Sequence, residues 1–520
     1  MVFAPFPRLP VIVKTRLLRG VSPLPALIAA ALILAGCAVG PDFKRPDAPG
    51  VGQYTPGTPL AQTSSANISG GGAQTIRNGR DIPGDWWRVF RSDTLDRLVA
   101  EALKANPDIQ SAQATLRQAQ ENVAAGQGAL FPTVSGSTSG TREQSNSTVS
   151  SPTGGTRTAT SVYNVTTASV DVSYDLDVWG GTRRNIESLQ ATADYERFQL
   201  EASYLTISSN VVTAAIQEAS LRAQIAATED IISTERDFLG ILQRQFALGG
   251  ISQADVAAQQ ATVAQDEALL PPLQKQLAQQ RNQLAVYLGR FPSEISGDDF
   301  ELASLTLPAD LPLSLPSKLV EQRPDIRSSE AQLHAASAKI GVAIADMLPQ
   351  ITLSASYGSS ASSFGDLFSP GTVAWNIAGQ VVQTIFDGGT LLHDKRASEA
   401  GFDIAAAQYR STVLSAFEDV ANALHAIQYD ADTLKAQLAA ERAAQRSLDI
   451  ARAQYQAGAT TYTTVLTAQS SLLNARISRI TAQAARLSDT AALYQALGGG
   501  WWNRADVPAD RKQPTTSLPD

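Results

Sequence analysis

The chain repeats one unit, and this duplication constrains its fold more than any other feature of the sequence. The segment NPDI at 106–109 recurs as RPDI at 323–326, and QFALG at 245–249 recurs as QYQAG at 454–458. Because matching segments in the same order form the same supersecondary unit, we predict two structural repeats per chain. The predicted organisation is a signal peptide at 1–36, an extended N-terminal segment at 37–92, a first repeat at 93–290, a linker at 291–316, a second repeat at 317–500 and a C-terminal tail at 501–520.

Each repeat is predicted to run helix, strand, strand, helix, helix. Apolar residues at helical spacing predict the first helix over Thr94–Ala129. Thr182–Phe238 has neither proline nor glycine, and the helix that this stretch begins would be roughly 100 Å long. A returning helix is predicted over Ser252–Leu288, kinked by the prolines at 271 and 272. Helices this long, lying antiparallel, indicate a coiled-coil wall rather than a globular core.

The predicted strands alternate between polar and apolar residues. On one side of the first repeat lie Val170, Val172, Tyr174, Leu176 and Val178, and on the other lie Ser169, Asp171, Ser173, Asp175 and Asp177. The second repeat alternates in the same way over 351–357 and 373–380. A soluble sandwich can use this pattern, but a transmembrane β-barrel requires it. We therefore interpret the acids as lumen-facing strand residues rather than as a catalytic carboxylate cluster.

Four strands per chain cannot close a barrel by themselves. An open sheet edge in hydrocarbon leaves unpaired backbone groups that cost several kcal/mol each. The chain is therefore expected to oligomerise, although closure alone does not set the number of copies.

The N-terminus reads as an export signal. Basic residues precede a short apolar run at Ala26–Ala35, and the segment LAGC ends at Cys37, the single cysteine. The apolar run is shorter than the ~20 residues of a membrane-spanning helix. The stretch resembles a bacterial lipoprotein signal, which implies acylation of Cys37 and, with Ala38 following, transfer to the outer membrane. A free cysteine at an ordinary cleavage site is the alternative.

Composition and motifs exclude several classes of function. The net charge of −8 makes a nucleic-acid partner unlikely. One cysteine excludes an intrachain disulfide, and His334, His393 and His425 are scattered without metal-ligand spacing or evident partners. No Gly-rich phosphate loop is present. We therefore expect no enzyme activity, no metal and no cofactor beyond the covalent lipid on Cys37.

Five segments in order carry a family resemblance: CAVGPDFKRP at 37–46, DWWRVF at 85–90, RPDI at 323–326, IFDGG at 385–389 and GGGW at 498–501. They resemble the TolC-type outer-membrane efflux family, in its OprM/NodT-like lipoprotein branch. The resemblance implies a mixed α and β homotrimer with a 12-stranded outer-membrane β-barrel, four strands per chain. A long α-helical periplasmic barrel with a mixed equatorial region would continue it. The implied partners are a periplasmic adaptor, an inner-membrane RND transporter and outer-membrane lipid.

In that family, aspartates on the second helical hairpin narrow the periplasmic tip, where a typical member reads YLDVLDA. The matching stretch here reads YTTVLTA, so Thr464 and Thr467 stand where carboxylates are expected. Threonines would neither attract cations nor repel one another. In the first repeat Asp255 aligns with Thr464, and it is either a gating carboxylate or a solvated acid in the first helical turn. The resemblance therefore does not extend to a cation-sensitive gate.

The leading hypothesis is the outer-membrane channel of a tripartite RND-type efflux pump, a passive exit duct for drugs or other small molecules. It would be lipid-anchored in the outer membrane and extend into the periplasm. Two alternatives stay open. The same fold could serve an ABC-driven type I protein or peptide exporter, and a periplasmic coiled-coil scaffold lipoprotein would explain the helices but leave the alternating strands unused.

Overall fold

The computed structural model describes residues 38–57, 61–151, 155–294 and 300–507, with backbone alone at 149–151 and 155–157. The predicted signal peptide and Cys37 lie outside these ranges. The described residues form two compact units, each assembled from separate stretches of chain. The sheet unit contains 38–39, 132–183 and 344–385, and the helical unit contains the described parts of 40–131, 184–343 and 386–507.

The elements follow the predicted order within each repeat. The strands are β1 (Thr75–Asn78), β2 (Thr133–Ser151), β3 (Gly155–Asp175), β4 (Asp310–Leu313), β5 (Gln350–Ala361) and β6 (Val373–Val382). The helices are α1 (Asp93–Ala105), α2 (Pro107–Gly128), α3 (Gly181–Ala247), α4 (Gln253–Glu267), α5 (Leu270–Tyr287), α6 (Pro316–Gln322), α7 (Pro324–Ala345), α8 (Thr390–Gln456) and α9 (Tyr462–Ala496). No described helix is long and apolar enough to cross a membrane.

The sheet unit is built on one antiparallel sheet in the order β2-β3-β5-β6. β2 pairs with β3 along its whole length, whereas β3 pairs with β5 only over Thr166–Asp175. The β2–β3 hairpin therefore continues beyond the strands of the second repeat as a two-stranded ribbon.

The helical unit contains two very long helices. α3 and α8 each run for 67 residues without interruption. At about 1.5 Å per residue, each is about 100 Å long. The absence of proline from both segments explains this continuity, because a proline in the interior removes a hydrogen bond and breaks a helix.

The first predicted helix, Thr94–Ala129, is two helices, and Asn106 separates them. Pro107 disfavours helical backbone in the residue before it, and Asn106 is extended, with φ −63° and ψ 127°. The Asn106 side chain accepts a hydrogen bond from the N–H of Asp108 at 2.8 Å. α2 therefore begins with its own cap, and the single-helix prediction is corrected here.

The returning helix of the first repeat is interrupted rather than kinked. α4 ends at Glu267 and α5 starts at Leu270, with Pro271 and Pro272 in its first turn. Proline is tolerated there because the first N–H groups of a helix have no partner within it. α9, the equivalent helix of the second repeat, is continuous.

The predicted linker has structure of its own. β4 lies within 291–316 and pairs in parallel with β1 of the N-terminal segment. Arg77 Nε donates to Asp310 Oδ1 at 2.9 Å across this pair. The small sheet therefore ties the N-terminal segment to the linker between the repeats.

Residues near the described N-terminus lie on the helices. The Phe43 ring stacks on His334 with centroids 4.4 Å apart, and Arg45 pairs with Glu330 at 3.2 Å. His334 Nε2 lies 2.8 Å from Glu187 Oε1. The prediction that His334 lacks a partner is therefore wrong, because its neighbours come from distant parts of the chain.

The main core lies where the N-terminal segment meets α1, α3, α8 and α9. Trp86 is 1% exposed and stacks on Tyr494 with centroids 5.6 Å apart. Trp501 Nε1 donates to the carbonyl of Gln322 at 2.6 Å. The tryptophans at 86 and 501 therefore fasten both described ends of the chain to one core.

Candidate functional site

The sheet has one polar and one apolar face, in agreement with the alternation of the sequence. Residues directly opposite on neighbouring strands share a face. One row across the sheet is Ser135, Asp171, Ser356 and Asn376, and the next is Val134, Val172, Ala355 and Ile377. The sheet is therefore amphipathic over its whole width.

The apolar face and both outer strands lack a partner within the described chain. Val134, Tyr357, Trp375 and Ile377 are each more than 60% exposed. β2 and β6 lie at the two edges of the sheet. Adjacent exposed apolar side chains mark a surface that contacts a partner or a membrane. The unit is therefore incomplete as a single chain in water.

Asp171 and Asp175 lie on the polar face. Ser169 Oγ donates to Asp171 Oδ2 at 2.7 Å, and Thr352 Oγ1 donates to Asp175 Oδ1 at 2.7 Å. Each carboxylate is thus bonded to a hydroxyl on its own face of the sheet. Their predicted position in a lumen requires this face to point inward.

Asp177 is not a strand residue, and its interpretation as a lumen-facing strand acid is corrected. β3 ends at Asp175. The Asp177 carboxylate accepts hydrogen bonds from the N–H groups of Thr182 at 2.9 Å and Arg183 at 3.0 Å. These amides have no partners within the helix, so Asp177 stabilises the start of α3.

Two helical hairpins, α3–α4 and α8–α9, meet at one end of the helical unit. A buried apolar group, called the tip cluster, joins them: Leu242, Val256, Leu448, Ala451, Tyr462, Val465, Ala468 and Leu472. Gly249 and Gly458 close the two turns with φ of 76° and 70°, a conformation that favours glycine after a helix end. The repeated motif that ends in these glycines therefore encodes the same turn twice.

Asp255 has a local structural role in the first turn of α4. Its N–H donates to Ser252 Oγ at 3.2 Å, and its carboxylate accepts from Ser252 N–H at 3.2 Å. This reciprocal pair is a capping box. The geometry favours the first-turn interpretation over a free gating carboxylate.

Thr464 and Thr467 are exposed on the first turns of α9. Thr464 Oγ1 accepts from Thr460 Oγ1 at 3.0 Å, and Thr467 Oγ1 donates to the carbonyl of Thr463 at 3.0 Å. Neither side chain is part of the tip cluster, so both are available at the surface of the tip.

A buried carboxyl pair beside the tip cluster carries no signal in the sequence. Glu235 of α3 is 1% exposed and Asp266 of α4 is 9% exposed. Neither Glu235 oxygen, nor Asp266 Oδ2, meets a hydrogen-bond donor among the described residues. Burial raises the pKa of both groups, and for Glu235 the neighbouring Asp266 charge raises it further. Each is one acid among many along its helix, so only the packing reveals the pair.

Metal binding finds no support in the described ranges, where no group of three or more His, Cys, Asp or Glu could hold an ion. The predicted lipidation site, Cys37, lies outside the described residues.

A family model described as "Outer membrane efflux protein" matches residues 98–290 and 315–499. The two ranges together span most of the chain.

Curated relatives and solved structures are similar over nearly the whole chain. The pyoverdine export outer membrane protein OpmQ of Pseudomonas putida is 30% identical, covering 81% of this chain and 89% of its own. The toluene efflux pump outer membrane protein TtgC of Pseudomonas putida is 29% identical, covering 92% of this chain and 96% of its own. The structure of the outer-membrane channel OprN covers 89% of this chain and 100% of its own, with 26% identity and a TM-score of 0.78.

Proposed function

This chain belongs to the outer membrane efflux protein family, and from that premise we propose that three copies form a passive exit duct. The chain is an outer-membrane protein with a periplasmic extension. The observation that carries the proposal is the unfinished sheet, whose apolar face is exposed and whose outer strands lack partners. Joining β6 of one copy to β2 of the next would satisfy both edges. Three four-stranded sheets then close a 12-stranded barrel.

The two faces of the sheet set the orientation of this barrel. Exposed apolar residues such as Trp375 and Ile377 face lipid, because charged or hydrogen-bonding groups are costly there. The opposite face, with Asp171 and Asp175, lines a wet lumen. The long helices α3 and α8 form the wall of the periplasmic part of the duct.

The duct works in a tripartite pump with a periplasmic adaptor and an inner-membrane RND transporter. Relatives are named for pyoverdine export and for toluene efflux, which supports small molecules as cargo. The duct itself performs no chemistry and needs no cofactor, so the transporter supplies the energy.

The remaining site residues have assigned places in this proposal. Cys37 carries the lipid that anchors the mature N-terminus in the outer membrane. Asp255, Thr464 and Thr467 surround the periplasmic opening, where threonines in place of carboxylates make the constriction weakly sensitive to cations.

The test is an in-cell cross-linking pull-down of the C-terminally tagged protein, with partners identified by mass spectrometry. We expect an adaptor and an RND transporter, absent from the same cells without cross-linker. Recovery of an ABC transporter would move the cargo to proteins or peptides. Recovery of neither, with no oligomer of the chain, would contradict the duct.

A further inference from the structure

We propose that Glu235 and Asp266 share one proton and form a pH-sensitive latch between the two helical hairpins behind the tip. The link to duct opening rests on the proposed function, because it assumes that the tip is where the duct closes. The latch itself rests only on the packing of α3, α4, α8 and α9.

The carboxyl groups of Glu235 and Asp266 face one another across the first hairpin. Both residues are at least nine-tenths buried, and three of their four oxygens find no donor among the described residues. Two buried carboxylates without donors repel each other, whereas a proton on Glu235 lets it donate to Asp266. One shared proton therefore satisfies the pair.

The second hairpin contributes groups that face this pair. Arg452 of α8 lies close enough to Glu235 to stabilise its charged form, and its Nε has no hydrogen-bond partner. Tyr462 of α9 is also near Glu235, and its hydroxyl donates to Gln259 Oε1. Gln259 Nε2 in turn donates to the backbone carbonyl of Glu235 at 3.1 Å. A chain of polar contacts thus connects the carboxyl pair to the other hairpin.

Charge balance gives the latch its sensitivity to pH. With one shared proton, the pair carries a single negative charge, and Arg452 balances it. Without that proton, two buried negative charges face one guanidinium, and an uncompensated buried charge is strongly unfavourable. The closed junction is therefore the protonated one.

The direction of the effect follows from the raised pKa of Glu235. When the hairpins separate, the carboxyl becomes solvated and its pKa returns to about 4.3. The closed junction binds the proton more tightly, so it is favoured at low pH. Its advantage is lost as pH rises from the solvated pKa to the raised one, by up to about tenfold per pH unit.

A second carboxyl pair supplies a matched control. Asp430 of α8 lies beside Asp489 of α9, and this contact with burial raises the pKa of Asp430. The charged neighbour of Asp430 is Arg486, which holds the N-terminal segment through the carbonyl of Gly72 at 2.7 Å. This pair belongs wholly to the second hairpin and is not part of the tip cluster.

The experiment measures amide hydrogen exchange of the purified, detergent-solubilised protein at about pH 5.5 and about pH 8.5. Protection factors, which remove the intrinsic dependence of exchange on pH, are compared for α4 and the first turns of α9. We expect wild-type protection there to fall at least about tenfold at the higher pH. Glu235→Gln and Asp266→Asn should abolish that fall, because an amide can donate without titrating. Asp430→Asn should retain it.

An equal fall in wild type and in both latch variants would overturn the proposal. Recovery of protection on adding millimolar Ca²⁺ at the higher pH, in wild type and not in Glu235→Gln, would also overturn it, because the pair would then bind a cation. Circular dichroism checks that each variant is folded, and two latch variants guard against failure of one. Exchange needs neither conductance nor partners, so a failed pull-down counts against the duct alone.

Discussion

Two aspartates, Asp177 and Asp387, hold the starts of the two long helices. Asp177 accepts from two amides at the start of α3, and Asp387 accepts from the N–H groups of Gly389 and Leu391 at 2.8 Å. These backbone donors lower the pKa of Asp387. The two repeats thus use a carboxylate at the same structural point although the local sequences differ.

Replacing Asp177 by alanine should lower the free energy of unfolding by about 1 kcal/mol, because free amides at a helix start lose their acceptor. Asp177→Asn keeps an acceptor oxygen and should cost less. Thermal unfolding followed by circular dichroism measures both. Equal stability of wild type and the alanine variant would show that the cap contributes nothing.

Glu201 of α3 makes stability depend on pH. It is buried and pairs with Arg504 at 2.8 Å, and burial raises its pKa to about 7 although Arg504 opposes the shift. Because the folded protein then binds the proton more tightly than the unfolded chain, stability should fall as pH rises from about 4.3 to about 7. Denaturant unfolding at several pH values should show a fall on the order of 2 kcal/mol.

Glu201→Gln should flatten that dependence, since glutamine does not titrate. Glu229→Gln, at an exposed position of the same helix, is the control and should keep the wild-type dependence. A curve for Glu201→Gln that runs parallel to wild type would refute the assignment.

At the scale of elements, each strand presents different residues to its two faces, and adjacent positions of β6 test the faces separately. Ile377 lies on the apolar face and Asn376 on the polar face. Ile377→Lys should cost about 2–4 kcal/mol, because a charge would enter lipid. Asn376→Lys should be tolerated, because its side chain points to water in the lumen.

The readout for both β6 variants is the yield of folded oligomer in outer-membrane fractions. Equal loss for both lysines would contradict the assignment of the faces, and loss for Asn376→Lys alone would reverse it.

At the scale of the whole molecule, closure of the barrel requires several copies. Native mass spectrometry of the detergent-extracted protein should give a mass of three chains. A monomer that conducts ions in a planar bilayer would contradict the joining of β6 to β2 across copies.

The anchor and the barrel should be separable. Cys37→Ser should abolish incorporation of labelled palmitate, because the thiol is the acceptor of the lipid. The variant should still assemble, since the barrel has its own lipid-facing surface. Incorporation that persists in the serine variant would place the lipid elsewhere.

The sequence by itself determined the elements whose causes are local. The lack of proline in α3 set its length, the alternation in β3 set the two faces, and glycines at 249 and 458 set matching turns. Each depends on residues within one segment, through backbone sterics and the period of the side chains. The break at Asn106 was equally local, because Pro107 follows it.

Only the tertiary structure decided which polar groups meet. His334 with Glu187, β4 with β1, and Glu235 with Asp266 and Arg452 join positions distant in the chain. Asp177 continues the alternation of its strand, yet its place after the strand end gave it to a helix instead. Periodicity reports the face of a residue but not its neighbour across that face. The neighbour depends on how the packed helices and strands are aligned, and that alignment comes from the whole core.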